Sequence, residues 1–176
     1  MTHAVSFGER LIGFLPNMRR FSISLTGSRD IADDLVQAAC ERALAHQDSF
    51  DPLTRFDAWI FRIIRNLWID HVRRTRTAGP REDISDHEEH LGGGGEGDVL
   101  ARMELREVSA AMAKLSDDQR EVLVLVCVED FSYRDAAELL QLPIGTVMSR
   151  LARARKNLAA ASGITEGKGR CSDEKG

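Results

Sequence analysis

The chain has 176 residues, of which 30% are charged and 43% hydrophobic, with a formal net charge of −4. That length fits one mid-sized domain or two small ones, and the acidic balance excludes a polycation that coats nucleic acid without selectivity. The longest apolar run, Val122–Val128, is far too short to span a bilayer, and no basic stretch leading into a long apolar run opens the sequence. The expectation is therefore a cytoplasmic protein with no membrane insertion.

The charge is unevenly spread. Residues 1–80 hold 11 basic and 9 acidic side chains, residues 81–107 hold 3 and 9, and residues 108–176 hold 10 and 10. An acidic middle thus separates two near-neutral flanks whose cations gather in short helical runs. Local fields of this kind, more than net charge, steer a polyanion.

The first predicted helix covers Phe7 to Thr26, with a break near Pro16 and a stop at Gly27-Ser28. The second runs from Arg29-Asp30 to about His46. Ala32, Leu35, Val36, Ala39 and Ala43 recur at helical spacing as its buried stripe, and Asp30, Asp33, Asp34, Gln37 and Glu41 form a polar stripe opposite. Pro52 lies in a turn, and a long helix then spans Phe56 to Arg76. Its predicted core seam is Phe56, Trp59, Ile60, Ile63, Ile64, Leu67, Trp68 and His71. Arg62, Arg65, Asn66, Ile69 and Arg73 fall on the other side; Asn66, and Trp68 of the seam, are candidates for bonding to or stacking on unpaired bases.

Residues 78–99 contain four consecutive glycines and many acids. Such a stretch cannot offset its ordering entropy by apolar burial, so a flexible acidic, Gly-rich linker is expected. A helix is predicted over Leu100 to Lys114. Ser116 with Gln119 reads as a capping box for the next helix, and Ser132 as the cap of a short one, Tyr133 to Leu140. Gln141-Leu142-Pro143 makes a tight turn into a basic helix. Val147, Leu151, Ala154 and Leu158 would anchor that helix at spacings of four, three and four. Thr146, Ser149, Arg150, Arg153 and Lys156 or Asn157 are left outward. Helix, tight turn, helix with Thr, Ser and Arg outward is the arrangement of a helix-turn-helix reader. Thr146, near the helix start, could offer a hydroxyl and backbone donors to a phosphate. The tail 162–176 reads as disordered. The fold class is all-α: two small helical domains, residues 7–77 and 100–161, the second a helix-turn-helix.

Enzyme chemistry has no support. The five histidines form no H-E-x-x-H pattern, and the glycine run lacks the G-K-[ST] end of a phosphate loop. Three cysteines without C-x-x-C spacing give neither a disulfide framework nor a zinc site, so no metal and no cofactor is expected. Cys40 and Cys127 are read as small buried hydrophobes and Cys171 as a tail thiol.

Three stretches carry a family resemblance. "DIADDLVQAACERAL" (30–44), "FDAWIFRIIRNLWIDHVRRTR" (56–76) and the span 115–158 resemble, in order, motifs of the bacterial extracytoplasmic-function (ECF) sigma factors of the sigma-70 family. The resemblance implies an alternative sigma factor that binds core RNA polymerase at the β′ clamp and β flap. It implies that Asp34, Leu35, Val36 and Gln37 dock on the clamp. It implies that Arg62, Arg65, Asn66, Asp70, Arg73 and Arg74 meet the −10 element, and that Thr146, Ser149, Arg150, Arg153 and Lys156 meet the −35 element. It further implies control by an anti-sigma protein. The segment Phe14–Gly27 is most similar to the branch used in alphaproteobacterial general stress responses, in which a sigma-like response regulator competes for that anti-sigma protein.

Two departures stand out: Ala39-Cys40 lacks the family's usual aromatic, and Val126-Cys127-Val128 is unusually apolar. The rival reading is a sigma mimic that only binds an anti-sigma protein. Its retained arginines, and a chain ending soon after Leu158 where mimics carry a receiver domain, argue against it. A stand-alone helix-turn-helix repressor leaves the first half unexplained.

Overall fold

Ser6 starts the first helix by reciprocal capping. Its Oγ accepts the Glu9 amide at 3.2 Å, and the Glu9 carboxylate accepts the Ser6 amide at 2.8 Å. In the computed structural model, which describes residues 6–77 and 110–162, every regular element is a helix. Helix α1 (Phe7–Thr26) runs without interruption and ends where Gly27 takes the left-handed conformation (φ 68°) that favours glycine. The break expected at Pro16 does not occur. Pro16 and Ile12 both lie on the exposed side of α1, so the carbonyl that loses its donor can reach water.

Helix α2 (Arg29–Ala45) buries Ala32, Leu35, Ala39 and Ala43, and a 3₁₀ turn at Gln47–Ser49 leads toward α3 (Phe56–Thr77). The three helices pack mutually. Met18, Phe21, Ile60, Phe61 and Ile64 form their buried centre. The seam of α3 is shifted from the expected one: Phe61 is fully buried and His71 is exposed. Because α3 contacts both α1 and α2, its buried face is wider than a single stripe at its N-terminal end. Around that end Phe7, Phe14, Phe50, Phe56 and Trp59 pack edge-on or tilted, with centroids 5.4–6.3 Å apart for the Phe7 and Phe50 pairs. The Arg10 guanidinium sits 4.3 Å over the Phe56 ring.

The second compact unit takes in α4 (Asp117–Cys127), α6 (Ile144–Ser162) and α5 (Tyr133–Leu140) as far as Glu138. Val122 and Leu125 of α4 and Val147, Leu151 and Ala154 of α6 are buried where these two helices pack. Ser132 caps α5 as expected, its Oγ accepting the Asp135 amide at 3.1 Å. The box at Ser116 does not form: Ser116 makes no side-chain cap bond, and the Gln119 side-chain carbonyl instead accepts Asn157 Nδ2 at 3.0 Å, tying α4 to α6. Gln141 turns the chain between α5 and α6 at φ 55°, and the Leu142 amide returns to the Ala137 carbonyl at 3.0 Å. Residues 110–113 are helical; the rest of the helix expected over 100–114, the linker 78–99 and residues 163–176 lie outside the described residues.

Candidate nucleic-acid interface

Helix α6 begins at Ile144, immediately after Pro143, whose carbonyl accepts the amides of Thr146 (2.8 Å) and Val147 (3.2 Å). The Thr146 amide is therefore occupied within the helix, and its side chain is half-buried, which removes that donor from the phosphate contact foreseen for it. Opposite the buried Val147–Leu151–Ala154 stripe, Gly145, Ser149, Ala152 and Lys156 follow one another at spacings of four, three and four, all exposed. Arg153 is exposed beside them. Ser149 Oγ donates to the Thr146 carbonyl at 3.0 Å, keeping the centre of this face small. A Cβ on Gly145 would meet nothing within 4 Å, so close internal packing does not explain the glycine.

Arg150 is placed differently from the outward position expected. Its Nη2 lies 2.7 Å from Asp118 Oδ2 of α4, and its side chain is only 24% exposed. Asp118 thus decides how far Arg150 is exposed, and an ion pair reaching over from another helix leaves no local signature in sequence. Cys127, expected to be buried, is exposed at the end of α4, with Arg155 Nη2 donating toward its sulfur at 3.8 Å. Cys40 is half-buried, and burial first and Glu41 second push its thiol above the usual range, so little reactive thiolate forms.

On α3, Arg62, Asn66, Asp70, Arg73 and Arg74 are exposed and Arg65 is half-buried. Arg74 Nε donates to the Asp70 carbonyl at 3.2 Å, and Arg73 approaches the Asp70 carboxylate at 4.0 Å. The Trp68 ring stacks on His71 at 5.4 Å and 13°, so one of its faces is already occupied. On α2 the four candidates divide: Asp34 and Gln37 are exposed, Val36 is half-buried, and Leu35 belongs to the core at 7% exposure. Gln37 Nε2 donates to Glu41 at 3.1 Å, while Asp33 pairs with Arg19 of α1 at 2.7 Å.

Among the described residues no group of three or more His, Cys, Asp or Glu could hold a metal ion, and no helix is long and apolar enough to cross a membrane. Residues 13–77 match the family described as Sigma-70 region 2, and residues 105–158 that described as Sigma-70, region 4. The ECF RNA polymerase sigma factor EcfG of Rhodopseudomonas palustris is 41% identical over 155 residues, 88% of this chain and 84% of that protein. SigC of Mycobacterium tuberculosis is 39% identical over 131 residues, 73% and 69% of the two chains. The sigma factor RpoE, solved in complex with the anti-sigma factor NepR from Bartonella quintana, is similar with a TM-score of 0.74 and 35% identity, covering 91% of this chain and 98% of that one. Two region matches in the right order, on two separate helical units, decide the family: the chain belongs to the sigma-70 family as an ECF-type RNA polymerase sigma factor.

Proposed function

We propose that the chain works as a two-point promoter reader whose units, residues 7–77 and 100–161, act together only on core RNA polymerase. A sigma factor catalyses no reaction; it binds core polymerase and directs it to promoters. Here the exposed Asp34 and Gln37 with half-buried Val36 would dock on the β′ clamp, and Leu35 would hold α2 in the orientation that presents them. The α3 set Arg62, Arg65, Asn66, Asp70, Arg73 and Arg74 would meet the −10 element. On α6, Ser149, Arg153 and Lys156 would meet the −35 element, with the β flap as the unit's protein partner. The acidic, glycine-rich stretch 78–99 would serve as the linker. The solved relative bound to an anti-sigma factor supports control of this chain by a protein of that kind.

The observation that carries this reading is the exposed face of α6, small at its centre and cationic at Arg153 and Lys156. Small residues admit the helix to a major groove and the cations meet phosphates. Run-off transcription with core polymerase tests it, using promoters upstream of the protein's own gene and its neighbours. Specific transcripts that fall at least tenfold with Arg153→Ala/Lys156→Ala are expected. Core binding without any transcript from a set containing a cognate promoter would favour the mimic.

A further inference from the structure

Beside the small, cationic stripe of α6 runs a second ridge of different chemistry. Ile144 and Met148 follow at a spacing of four, exposed at 48% and 51%, and the ridge meets the stripe at Ala152, four residues on. The α6 core residues Val147, Leu151 and Ala154 lie elsewhere on the helix, so this ridge is not part of its packing against α4. Met148 adjoins Ser149 in the sequence and lies one turn before Ala152, which puts its thioether at the margin of the face proposed to enter the groove. Arg150, the nearest arginine, is drawn to Asp118 at 2.7 Å and is three-quarters covered. That leaves an apolar, adaptable side chain as the longest exposed group in the first two turns of the helix after Ile144.

We propose that Met148, flanked by Ile144, is a specificity-determining residue that reads the C5-methyl of a thymine in the −35 element. The proposal rests on the assignment of α6 to the −35 major groove and adds the chemistry of one readout position. The major groove presents one apolar group, the thymine methyl, and apolar side chains are its complement. The neighbouring cations explain why this ridge faces nucleic acid instead of an apolar protein groove. Arg153 and Lys156 are exposed on the same helix, and their charge would have to be desolvated against a protein wall but is met directly by phosphate. Asp118 takes part indirectly, by holding Arg150 out of the position from which a guanidinium would select guanine.

The test uses full-length protein reconstituted with core polymerase. A −35 element is first selected from a randomised duplex library, and each thymine is then replaced by deoxyuridine, which differs only in lacking the methyl. Wild type should lose affinity by about three- to fivefold at one or two thymines, the scale of burying one methyl group. Met148→Ala should bind thymine and uracil templates equally at those positions while still assembling with core polymerase. Equal binding of both templates by the wild type, a selected element with no thymine on either strand, or unchanged discrimination in Met148→Ala would each overturn the proposal. So would weakened core assembly in Met148→Ala with discrimination intact, which would assign the ridge to a protein. Arg153→Ala/Lys156→Ala separates the two levels: loss of binding on all templates keeps α6 in the groove whatever Met148 does, and unchanged binding removes α6 from the groove altogether.

Discussion

Arg150 and Asp118 illustrate how a single contact redistributes the exposed charge of a helix face. The spacing of apolar residues places Arg150 at the margin of the outward face, and only the approach of α4 decides that its guanidinium is bound at 2.7 Å. With Asp118 61% exposed, the pair itself contributes no more than about 1 kcal/mol to stability. Under the proposed function its larger effect would be on the charge available to DNA. Asp118→Ala should leave the denaturation midpoint nearly unchanged. It should steepen the salt dependence of holoenzyme–promoter binding by about 0.9 in log–log slope, one added phosphate contact; an unchanged slope would mean that Arg150 does not reach DNA even when released. The α2 residues give a contrasting pair. Leu35→Ala should cost about 2–4 kcal/mol in urea unfolding because it empties a core position. Asp34→Ala/Gln37→Ala should leave stability within about 0.5 kcal/mol and weaken core-polymerase binding, measured by fluorescence polarisation. At this scale sequence periodicity tells the direction of each side chain but not what reaches over it. Arg150, Cys127 and His71 all lie at the edge of a stripe or end of a helix, where a neighbour decides exposure.

The helices themselves are largely legible in the sequence, because their ends are written in local chemistry: Ser6 with Glu9, Gly27, Ser132 and Pro143 all act within one turn of where they stand. Two helix-end or helix-break rules fail, at Pro16 and Ser116, because Pro16 lies on the exposed side of α1 and Asn157 engages Gln119. Two elements store testable energetics. Gln141 adopts a left-handed conformation (φ 55°) at the end of α5, where glycine is at home. Gln141→Gly should therefore stabilise the turn between α5 and α6 by about 0.5–1 kcal/mol, read as an increased urea midpoint. At the start of α3, burial alone would raise the Asp57 carboxyl, but it accepts two bonds from Arg55 (2.6 and 3.1 Å) and one from the Ala58 amide (2.7 Å). Together these hold it below the ordinary aspartate range. A lowered pKa means that the unfolded chain binds the proton more readily, so this contribution is complete above the unfolded value and is lost as pH falls through the folded one. Asp57→Asn should lower stability near neutral pH, and the gap to wild type should close as pH drops below about 4. A gap that stays constant with pH would assign the loss to packing.

At the scale of the whole molecule, the formal charge of −4 and the cationic faces of α3 and α6 act against each other. Each face is short, and an acidic stretch separates them in sequence. The abrupt change in composition after residue 77 is legible in the amino-acid sequence alone, since it needs no knowledge of packing. Which residues of each half stay available to DNA is not legible there, because that depends on ion pairs formed on folding. Under the proposed two-point reading, polymerase would change the balance by fixing both units at once, so that the second contact would become intramolecular and benefit from a high effective concentration. The full chain alone should therefore bind a selected promoter duplex on the order of 10²-fold or more weaker than the holoenzyme at equal salt. The difference should shrink when either element is scrambled, because a single remaining contact gains nothing from linkage. Equal affinity of free chain and holoenzyme would show instead that one unit suffices for recognition, and the two-point reading would fall.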